Sequence, residues 1–195
     1  MDISKISECK KQICRVSSWL WEKSMVAAYD GNISARLEED RFLCTASKIC
    51  KGVVAEHNLV IVNSAGKLIS GIATPTSEIK LHLEIYKNRP DINAVVHAHP
   101  PYATAFAVAG FAPDSKTLPE LESVTGAVGF AKFAAPGSGA LAKSVTPLLE
   151  QNITTILLER HGAVTASTSN VLDAYYQIEK LEAFCKIMHL AKSLG

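Results

Sequence analysis

The sequence lacks any long hydrophobic run and carries almost no net charge. No apolar stretch approaches the ~20 residues that a membrane-spanning helix requires, so we expect no membrane partner. Lysine and arginine number 20 against 19 aspartates and glutamates, which gives a formal net charge of +1. Because neither sign dominates, the composition gives no electrostatic reason to expect a nucleic acid as partner.

The cysteines are few and do not follow the spacing of a zinc finger. Their number, five, is odd, and we expect all of them to be free thiols in a reducing compartment. The first five residues mix acidic and basic side chains and do not resemble the apolar core of a signal peptide. The predicted location is therefore cytoplasmic.

The chain also shows no internal repeat, low-complexity tract or block of like charge. With 195 residues, of which 48% are hydrophobic, it is long enough to bury a sizeable core. We therefore predict a single domain spanning residues 1–195.

Apolar side chains spaced three and four residues apart predict helices at both ends of the chain. The N-terminal stripe consists of Ile6, Cys9, Ile13, Val16 and Leu20. The C-terminal helix is predicted to begin after an N-cap at Asn170 and to reach Met188. Further helices are predicted after an N-cap at Thr76 or Ser77 through Tyr86, over residues 102–109 and over residues 138–149.

Short β-prone runs alternate with these helices. Strands are predicted at residues 41–45, 59–62, 93–99 and 153–158, with a turn at 29–34 and a hairpin turn at 63–67. A hairpin is inconsistent with an all-parallel sheet. We therefore predict an α/β fold, a three-layer α/β/α domain around a central, largely antiparallel sheet.

Two histidines lie two residues apart at the end of a predicted strand. Residues at this spacing point to the same face of a sheet, so His97 and His99 project together, with Cα atoms roughly 6.5–7 Å apart. That separation allows two imidazoles to bind one metal ion at the usual Zn–N distance of ~2.0–2.1 Å. The alternative for either residue is an ordinary hydrogen-bonded histidine.

A third ligand is expected from His161, which follows the strand predicted at residues 153–158 and precedes Gly162. Three histidines with an open position define a catalytic rather than a structural metal centre. Glu78 adds a carboxylate, on a segment that ends just before the His97 strand. His82, one helical turn after Glu78, is predicted to be a structural hydrogen-bond partner.

Four segments occur in an order and spacing that resemble the class II sugar-phosphate aldolases. This superfamily includes fuculose-phosphate and rhamnulose-phosphate aldolases, ribulose-phosphate 4-epimerase, methylthioribulose-phosphate dehydratase and the adducin head domain. The segments are Gly31-Asn32-Ile33-Ser34, Thr76-Ser77-Glu78, His97-Ala98-His99-Pro100 and His161-Gly162. The resemblance covers nearly the whole chain, which looks like a fuculose-phosphate aldolase-like member of this superfamily.

The resemblance implies a metal centre with a base beside it. His97, His99 and His161 would bind zinc, although a site of three histidines also accepts other divalent transition metals. Glu78 would contact the metal in the free enzyme and then act as the base. Zinc would draw electrons from a substrate carbonyl and stabilise the enediolate that forms on cleavage.

The resemblance also implies a phosphate site formed by Asn32, Ser47, Thr76 and Ser77. The predicted helix start at Thr76 and Ser77 supports it independently, because the N-terminus of a helix favours an anion. Asn32 taken alone is a turn residue. Lys48 replaces a glycine common in the phosphate loop, and it would either contact the phosphate or be solvated.

The implied function is that of an aldehyde-lyase, which performs reversible aldol cleavage of a small phosphorylated sugar. One alternative is a dehydratase of the methylthioribulose-phosphate type on the same metal site, and another is a non-catalytic, adducin-like interaction module. Glu78 stands where the 4-epimerase pattern has aspartate, which argues against that activity. A tyrosine of the fuculose enzyme has no counterpart near Ser123. The family's cyclic tetramers imply a homo-oligomer, with a tetramer as the expected assembly.

Overall fold

The structure is a computed structural model and describes residues 2–194; the predicted domain bounds at residues 1 and 195 lie just outside this range. Eight strands form one sheet in this part of the chain, in the order β4-β3-β2-β1-β5-β8-β7-β6. All neighbours are antiparallel except β6 and β7. The strands are β1 (Asn32–Glu38), β2 (Arg41–Thr45), β3 (Leu59–Val62), β4 (Leu68–Ser70), β5 (Ala94–Ala98), β6 (Val128–Ala131), β7 (Thr155–Leu158) and β8 (Gly162–Ser167).

Helices cover both faces of the sheet, which makes a three-layer α/β/α arrangement. They are α1 (Ile3–Glu22), α2 (Ile79–Asn88), α3 (Pro101–Ala109), α4 (Pro119–Thr125), α5 (Gly139–Ser144), α6 (Thr146–Leu149) and α7 (Val171–Ser193). Short 3₁₀ helices lie at Lys51–Val53, Glu56–Asn58 and Ser115–Thr117. The predicted fold class, with its largely antiparallel sheet, is therefore confirmed.

Because side chains alternate along each strand, the hydrophobic core is divided between the two faces of the sheet. The even-numbered β5 residues Ala94, Val96 and Ala98 pack with α1 and α7. Val95 of β5 and Val164 of β8 instead pack with α2, α5 and α6. Successive strand residues point to opposite faces, so the odd-numbered His97 faces the α2 side of the sheet.

Several local predictions are confirmed at the level of single residues. The predicted strands at 41–45 and 59–62 have the observed bounds of β2 and β3. The side chain of Asn170 accepts a hydrogen bond from the amide of Asp173 and caps α7. Gly110 ends α3 in the left-handed conformation, with φ 91°, which costs glycine little because it has no Cβ.

The predicted N-cap of α2 is wrong by one to two residues. Helix α2 begins at Ile79, and Glu78 rather than Thr76 or Ser77 is at its N-cap position. The preceding segment is extended, because Thr76 donates its amide to the oxygen of Thr45 and Pro75 forms an isolated β-bridge with Ala46. Thr76 and Ser77 therefore lie in the approach to the helix, alongside the end of β2.

Candidate metal centre

The sheet brings the three predicted histidine ligands together. His97 is on β5, His99 follows the end of that strand, and His161 lies in the turn between β7 and β8. Because β5 and β8 are antiparallel neighbours, with Ala98 opposite Ala163, the end of β5 lies beside the start of β8. Residues 64 positions apart in the chain therefore meet.

The imidazoles converge at distances that suit one ion. Each of His97, His99 and His161 offers one nitrogen, and these atoms all lie within 4.8 Å of one another. The Nε2 atoms of His97 and His99 are 3.1 Å apart. Two nitrogens bound tetrahedrally to zinc at ~2.0–2.1 Å would be roughly 3.3 Å apart, so the donor set fits such a metal.

Backbone and side-chain acceptors determine which nitrogen faces the cluster. His97 Nδ1 is 2.9 Å from the oxygen of Ala163, which can only accept, so the imidazole proton is at Nδ1. His99 Nδ1 lies 3.4 Å from an Asp30 carboxylate oxygen, which favours the same tautomer. Both Nε2 atoms then point lone pairs at the cluster, an arrangement that a cation would stabilise.

Glu78 brings a carboxylate to the same point from the α2 layer. Its Oε2 atom is 3.1 Å from His97 Nε2, and its Oε1 atom is 3.4 Å from His161 Nε2. Oε1 and His161 Nδ1 are buried atoms that find no hydrogen-bond partner among the described residues. Buried polar atoms are normally paired, so these two atoms further indicate that the site accommodates an additional group.

Burial and mutual charge keep this cluster ready to bind a cation. Burial raises the pKa of Glu78, but the contacts of its carboxylate with His97 Nε2 and with the Asn32 amide lower it more, so the net pKa lies below its usual range. Burial, reinforced by His97, lowers the pKa of His99 and of His161 to about 4. At neutral pH the carboxylate is therefore ionised, and these two imidazoles are neutral, as metal ligands must be.

The predicted phosphate contacts share one cavity with this cluster. The cavity measures about 540 Å³, and Glu78, His99 and His161 form part of its wall. Its lining also includes all four predicted phosphate contacts, which are Asn32, Ser47, Thr76 and Ser77. Lys48 also lines the cavity. Its backbone is left-handed, with φ 60°, a conformation that is uncommon outside glycine. This conformation is consistent with the glycine that the resemblance leads one to expect at this position.

A larger cavity of about 640 Å³ lies on the outer side of α2. Its walls include Lys80, Glu84 and Lys143, and none of the eight predicted site residues. We therefore take the smaller cavity as the candidate functional site, because that is where the candidate ligands, base and anion contacts meet.

Three residues near the site were not predicted from the sequence. Asp30 contacts His99 as described above, and Tyr29 lines the cavity. Lys51 is buried, and its Nζ donates to the backbone oxygens of Tyr29 and Ile49, so it connects two loops that line the cavity. Burial lowers the pKa of Lys51 to about 8. The Asp30-Gly31-Asn32 segment indicates only a turn, and no spacing in the sequence relates Lys51 to it.

His82 has the structural role predicted for it. The ring is fully buried and is hydrogen bonded at both nitrogens, to Ser34 Oγ and Asn32 Oδ1. Burial, with a further contribution from His97, lowers the pKa of His82 to about 3, so the ring is neutral. It belongs to the layer of contacts behind the metal cluster.

The chain belongs to the family described as the Class II Aldolase and Adducin N-terminal domain, whose profile matches residues 11–189. An L-fuculose phosphate aldolase of Methanococcus vannielii is 33% identical over 183 residues, which are 94% of this chain and 97% of that protein. A 3-oxo-tetronate 4-phosphate decarboxylase of Cupriavidus necator is 32% identical over 189 residues, covering 95% of this chain and 85% of that protein.

The solved structures agree with the family assignment. A structure of L-fuculose 1-phosphate aldolase superposes with a TM-score of 0.89 at 28% sequence identity, covering 97% of this chain and 88% of that chain. The superfamily predicted from the four motifs is thus confirmed. Metal dependence is a property of this family, and the cluster of His97, His99 and His161 is a place where this chain could hold the ion.

Among the described residues, no helix is both long and apolar enough to span a membrane.

Proposed function

We propose that this chain is a metal-dependent aldehyde-lyase that reversibly cleaves a carbon–carbon bond in a small phosphorylated sugar. One observation carries the proposal: a carboxylate and three histidines cluster beside a cavity that is also lined by hydroxyl and amide groups suited to a phosphate. The L-fuculose phosphate aldolases among its relatives support this reaction class.

His97, His99 and His161 would hold the divalent metal, which we propose to be zinc. Histidine nitrogens at this spacing suit zinc, while manganese, iron or cobalt would also be accepted. When bound, the metal would supply Lewis acidity toward a substrate oxygen. Asp30 and the oxygen of Ala163 would keep His99 and His97 in the tautomer that presents Nε2 to the ion.

Glu78 would take and return the proton. A general base has to be ionised before the reaction and close to the carbon that loses or gains the proton. The lowered pKa of Glu78 satisfies the first condition, and its place between His97 and His161 satisfies the second for a substrate held at that cluster.

Asn32, Ser47, Thr76 and Ser77, which line the same cavity, would bind the phosphate. Hydroxyls and backbone amides bind phosphate oxygens well, and a nearby cation strengthens such a site. Lys48 lines the same cavity and would supply that cation. Anchoring the phosphate there would orient the rest of the substrate toward the histidines, which lowers the entropy cost of reaction.

Decarboxylation is the second candidate, favoured by the 3-oxo-tetronate 4-phosphate decarboxylases among the relatives. Loss of carbon dioxide from a 3-oxo acid and aldol cleavage both leave an electron pair on the carbon next to a carbonyl. The same cluster could therefore serve either reaction. The dehydratase alternative would also use it, whereas an adducin-like module would have no use for an intact set of three histidines and a carboxylate.

Product analysis separates these candidates. The purified, zinc-loaded chain would be incubated with phosphorylated ketoses and phosphorylated 3-oxo acids, and the products would be identified by mass spectrometry. An aldehyde plus a shorter ketose phosphate indicates aldol cleavage, carbon dioxide indicates decarboxylation, and a product lighter by one water indicates dehydration. Absence of turnover across the panel, with zinc bound at one per chain, would contradict the proposal.

We further propose that the chain forms a homotetramer, that residues 1–195 make a single domain, and that the protein is cytoplasmic. The resemblance to a family of cyclic tetramers supports the first point. The five cysteines, each a free thiol in the structure, support a reducing compartment.

A further inference from the structure

A chain of four buried hydrogen bonds runs from the core to the proposed base. Tyr86 Oη lies 2.8 Å from Ser34 Oγ, which lies 2.6 Å from His82 Nδ1. On the other side of the ring, His82 Nε2 is 2.5 Å from Asn32 Oδ1. Asn32 Nδ2 then donates to Glu78 Oε2 over 3.0 Å. All five residues are at least nine-tenths buried.

The position of each proton along this chain of hydrogen bonds follows from the carboxylate of Glu78 at its end. A carboxylate only accepts hydrogen bonds, so Asn32 has to present Nδ2 to Glu78 and Oδ1 to His82. An amide oxygen also only accepts, so His82 carries its proton on Nε2 and leaves Nδ1 with a lone pair. Ser34 must therefore donate to Nδ1, and it remains free to accept from the hydroxyl of Tyr86.

Every donor therefore points the same way, from Tyr86 through Ser34, His82 and Asn32 to Glu78. We propose that Ser34 and His82 are positioning residues that orient the Asn32 amide, and through it the Glu78 carboxylate, with Tyr86 completing the chain. This inference rests on the proposed role of Glu78 as the base.

This chain of hydrogen bonds makes the two carboxylate oxygens of Glu78 different from each other. Oε2 receives the hydrogen bond from Asn32, whereas Oε1 is buried and accepts no hydrogen bond from the described residues. A lone pair that already accepts a strong hydrogen bond is a poorer proton acceptor. The proton taken from the substrate therefore goes to Oε1, the oxygen that also lies 3.4 Å from His161 Nε2.

Breaking this chain of hydrogen bonds would release the Asn32 amide from its fixed orientation. Without the donor at His82 Nε2, Asn32 could turn its oxygen toward Oε2 of Glu78, which would place two acceptors in contact. Glu78 would then move away or accept its proton at the wrong atom. Of the proposed phosphate contacts, Ser47, Thr76 and Ser77 lie outside this chain of hydrogen bonds, so substrate held there would be affected less, and the loss is expected in kcat more than in KM.

The tautomer of His82 gives a test that does not require turnover. Nitrogen NMR of the ¹⁵N-histidine-labelled, zinc-loaded protein reports which ring nitrogen carries the proton, and the signals are assigned by their loss in His82→Gln. We expect a protonated Nε2 and a bare Nδ1 at neutral pH. A proton on Nδ1, or on both nitrogens, would overturn the direction of the chain.

Kinetics then tests the link to Glu78. Ser34→Ala should lower kcat roughly 10- to 100-fold, the range observed when partners behind a site are removed, with KM changed less than threefold and zinc content unchanged. Tyr86→Phe removes only the outermost donor and should have a smaller effect. An equal loss in KM, or no loss in kcat, would overturn the positioning role.

Two controls separate positioning from general damage to the core. His82→Gln retains an amide that can donate to Asn32 and accept from Ser34, so it should keep more of kcat than His82→Leu; equal loss in both would contradict the proposal. Tyr175→Phe also removes a buried tyrosine hydroxyl, but this tyrosine packs against Trp19 on the opposite face of the sheet. It should leave kcat unchanged.

Failure of the proposed function would be distinguishable from failure of this inference. If the wild-type protein turns over no sugar phosphate, the NMR experiment still decides whether the chain of hydrogen bonds has the stated direction. If turnover is found and Ser34→Ala leaves kcat intact, the proposed function stands and the positioning role is wrong.

Discussion

Gly162 lies so close to His99 that an added Cβ would be 2.6 Å from the imidazole Cδ2 atom. The same Cβ would be 2.5 Å from the backbone oxygen of Ala98. Both distances are shorter than non-bonded heavy atoms tolerate, and one of the two neighbours is backbone. The start of β8 can therefore approach the end of β5 only with glycine at this position.

We expect Gly162→Ala to displace His99 and to weaken metal binding at least tenfold, because a shift of a ligand changes its distance to the ion. Zinc affinity would be measured by competition with a chromophoric chelator. Gly139→Ala is the matched control, since a Cβ there meets nothing within 4 Å. Unchanged zinc affinity in Gly162→Ala would show that the backbone adjusts.

Replacement of one proposed ligand tests the metal centre. His97→Ala should leave less than one tenth of the zinc bound per chain, because only two histidines and a carboxylate remain. Metal content after purification without chelator would be measured by mass spectrometry. His57→Ala, which removes an exposed histidine, should retain the wild-type content. Full zinc occupancy in His97→Ala would exclude this residue as a ligand.

Glu78→Gln tests the base and should separate metal binding from proton transfer. The amide is similar in size and can still lie between His97 and His161, but it cannot accept the proton. We expect zinc to be retained, while exchange of solvent deuterium into a bound ketose phosphate falls by at least 100-fold, in the range typical of a lost general base. Exchange at the wild-type rate would assign the base elsewhere.

The phosphate contacts can be tested by comparing two substrates. Replacing both Thr76 and Ser77 with alanine removes two hydroxyls from the cavity wall, and each hydrogen bond to a charged group contributes about 1.5–3 kcal/mol. We expect kcat/KM to fall more than 100-fold for a phosphorylated substrate and by a few fold for its unphosphorylated analogue. Equal losses for both would argue against a phosphate at this position.

The metal-free protein should lose stability as the pH falls from about 6.5 to 4. The pKa values of His99 and His161 are lowered to about 4 and that of His82 to about 3. The unfolded chain binds these protons below about 6.5, while the folded chain does not, so protonation favours unfolding.

Each such histidine contributes a slope of up to about 1.4 kcal/mol per pH unit within this window. Urea unfolding in the presence of a chelator, repeated from pH 7.5 to 4.5, would measure the slope. His161→Asn should reduce it by the share of one histidine. A free energy of unfolding that is constant over this range would contradict the depressed pKa values.

The parts of the fold that the sequence revealed are those with regular hydrophobic patterns. Periodicity alone predicts helices α1 and α7 from their apolar stripes. The β-branched composition of residues 59–62 predicts β3. Strand β1 was predicted only as a turn, because its inward positions Asn32 and Ser34 are polar and break the alternation. These residues are buried in the hydrogen-bond chain, which has no hydrophobic signature.

Strand β8 was missed for a different reason. It is rich in small residues, from Gly162 and Ala163 to Ala166, because it packs closely against β5. Small side chains carry little strand propensity. Between residues 111 and 137, where no element is predicted from the sequence, the structure forms α4 and β6, short elements amid proline and glycine.

The residues of the candidate site also fall into those that the sequence predicts and those that it does not. A His-x-His pair on a strand and a third histidine at a strand end can be predicted because few alternatives explain that spacing. The meeting of Ser34, His82 and Tyr86 could not be predicted in the same way. It depends on how α2 lies over β1, which is decided by packing across the whole layer.

The proposed base and the proposed metal ligands belong to different layers of the molecule. The three histidines come from β5 and from the ends of neighbouring strands, whereas Glu78 comes from the segment that opens α2. A lineage could therefore vary the helical layer, and with it the handling of protons, while inheriting the metal cluster intact. Such modular descent would account for aldolases and decarboxylases arising on one scaffold, and it marks α2 as the element to exchange when redesigning the reaction.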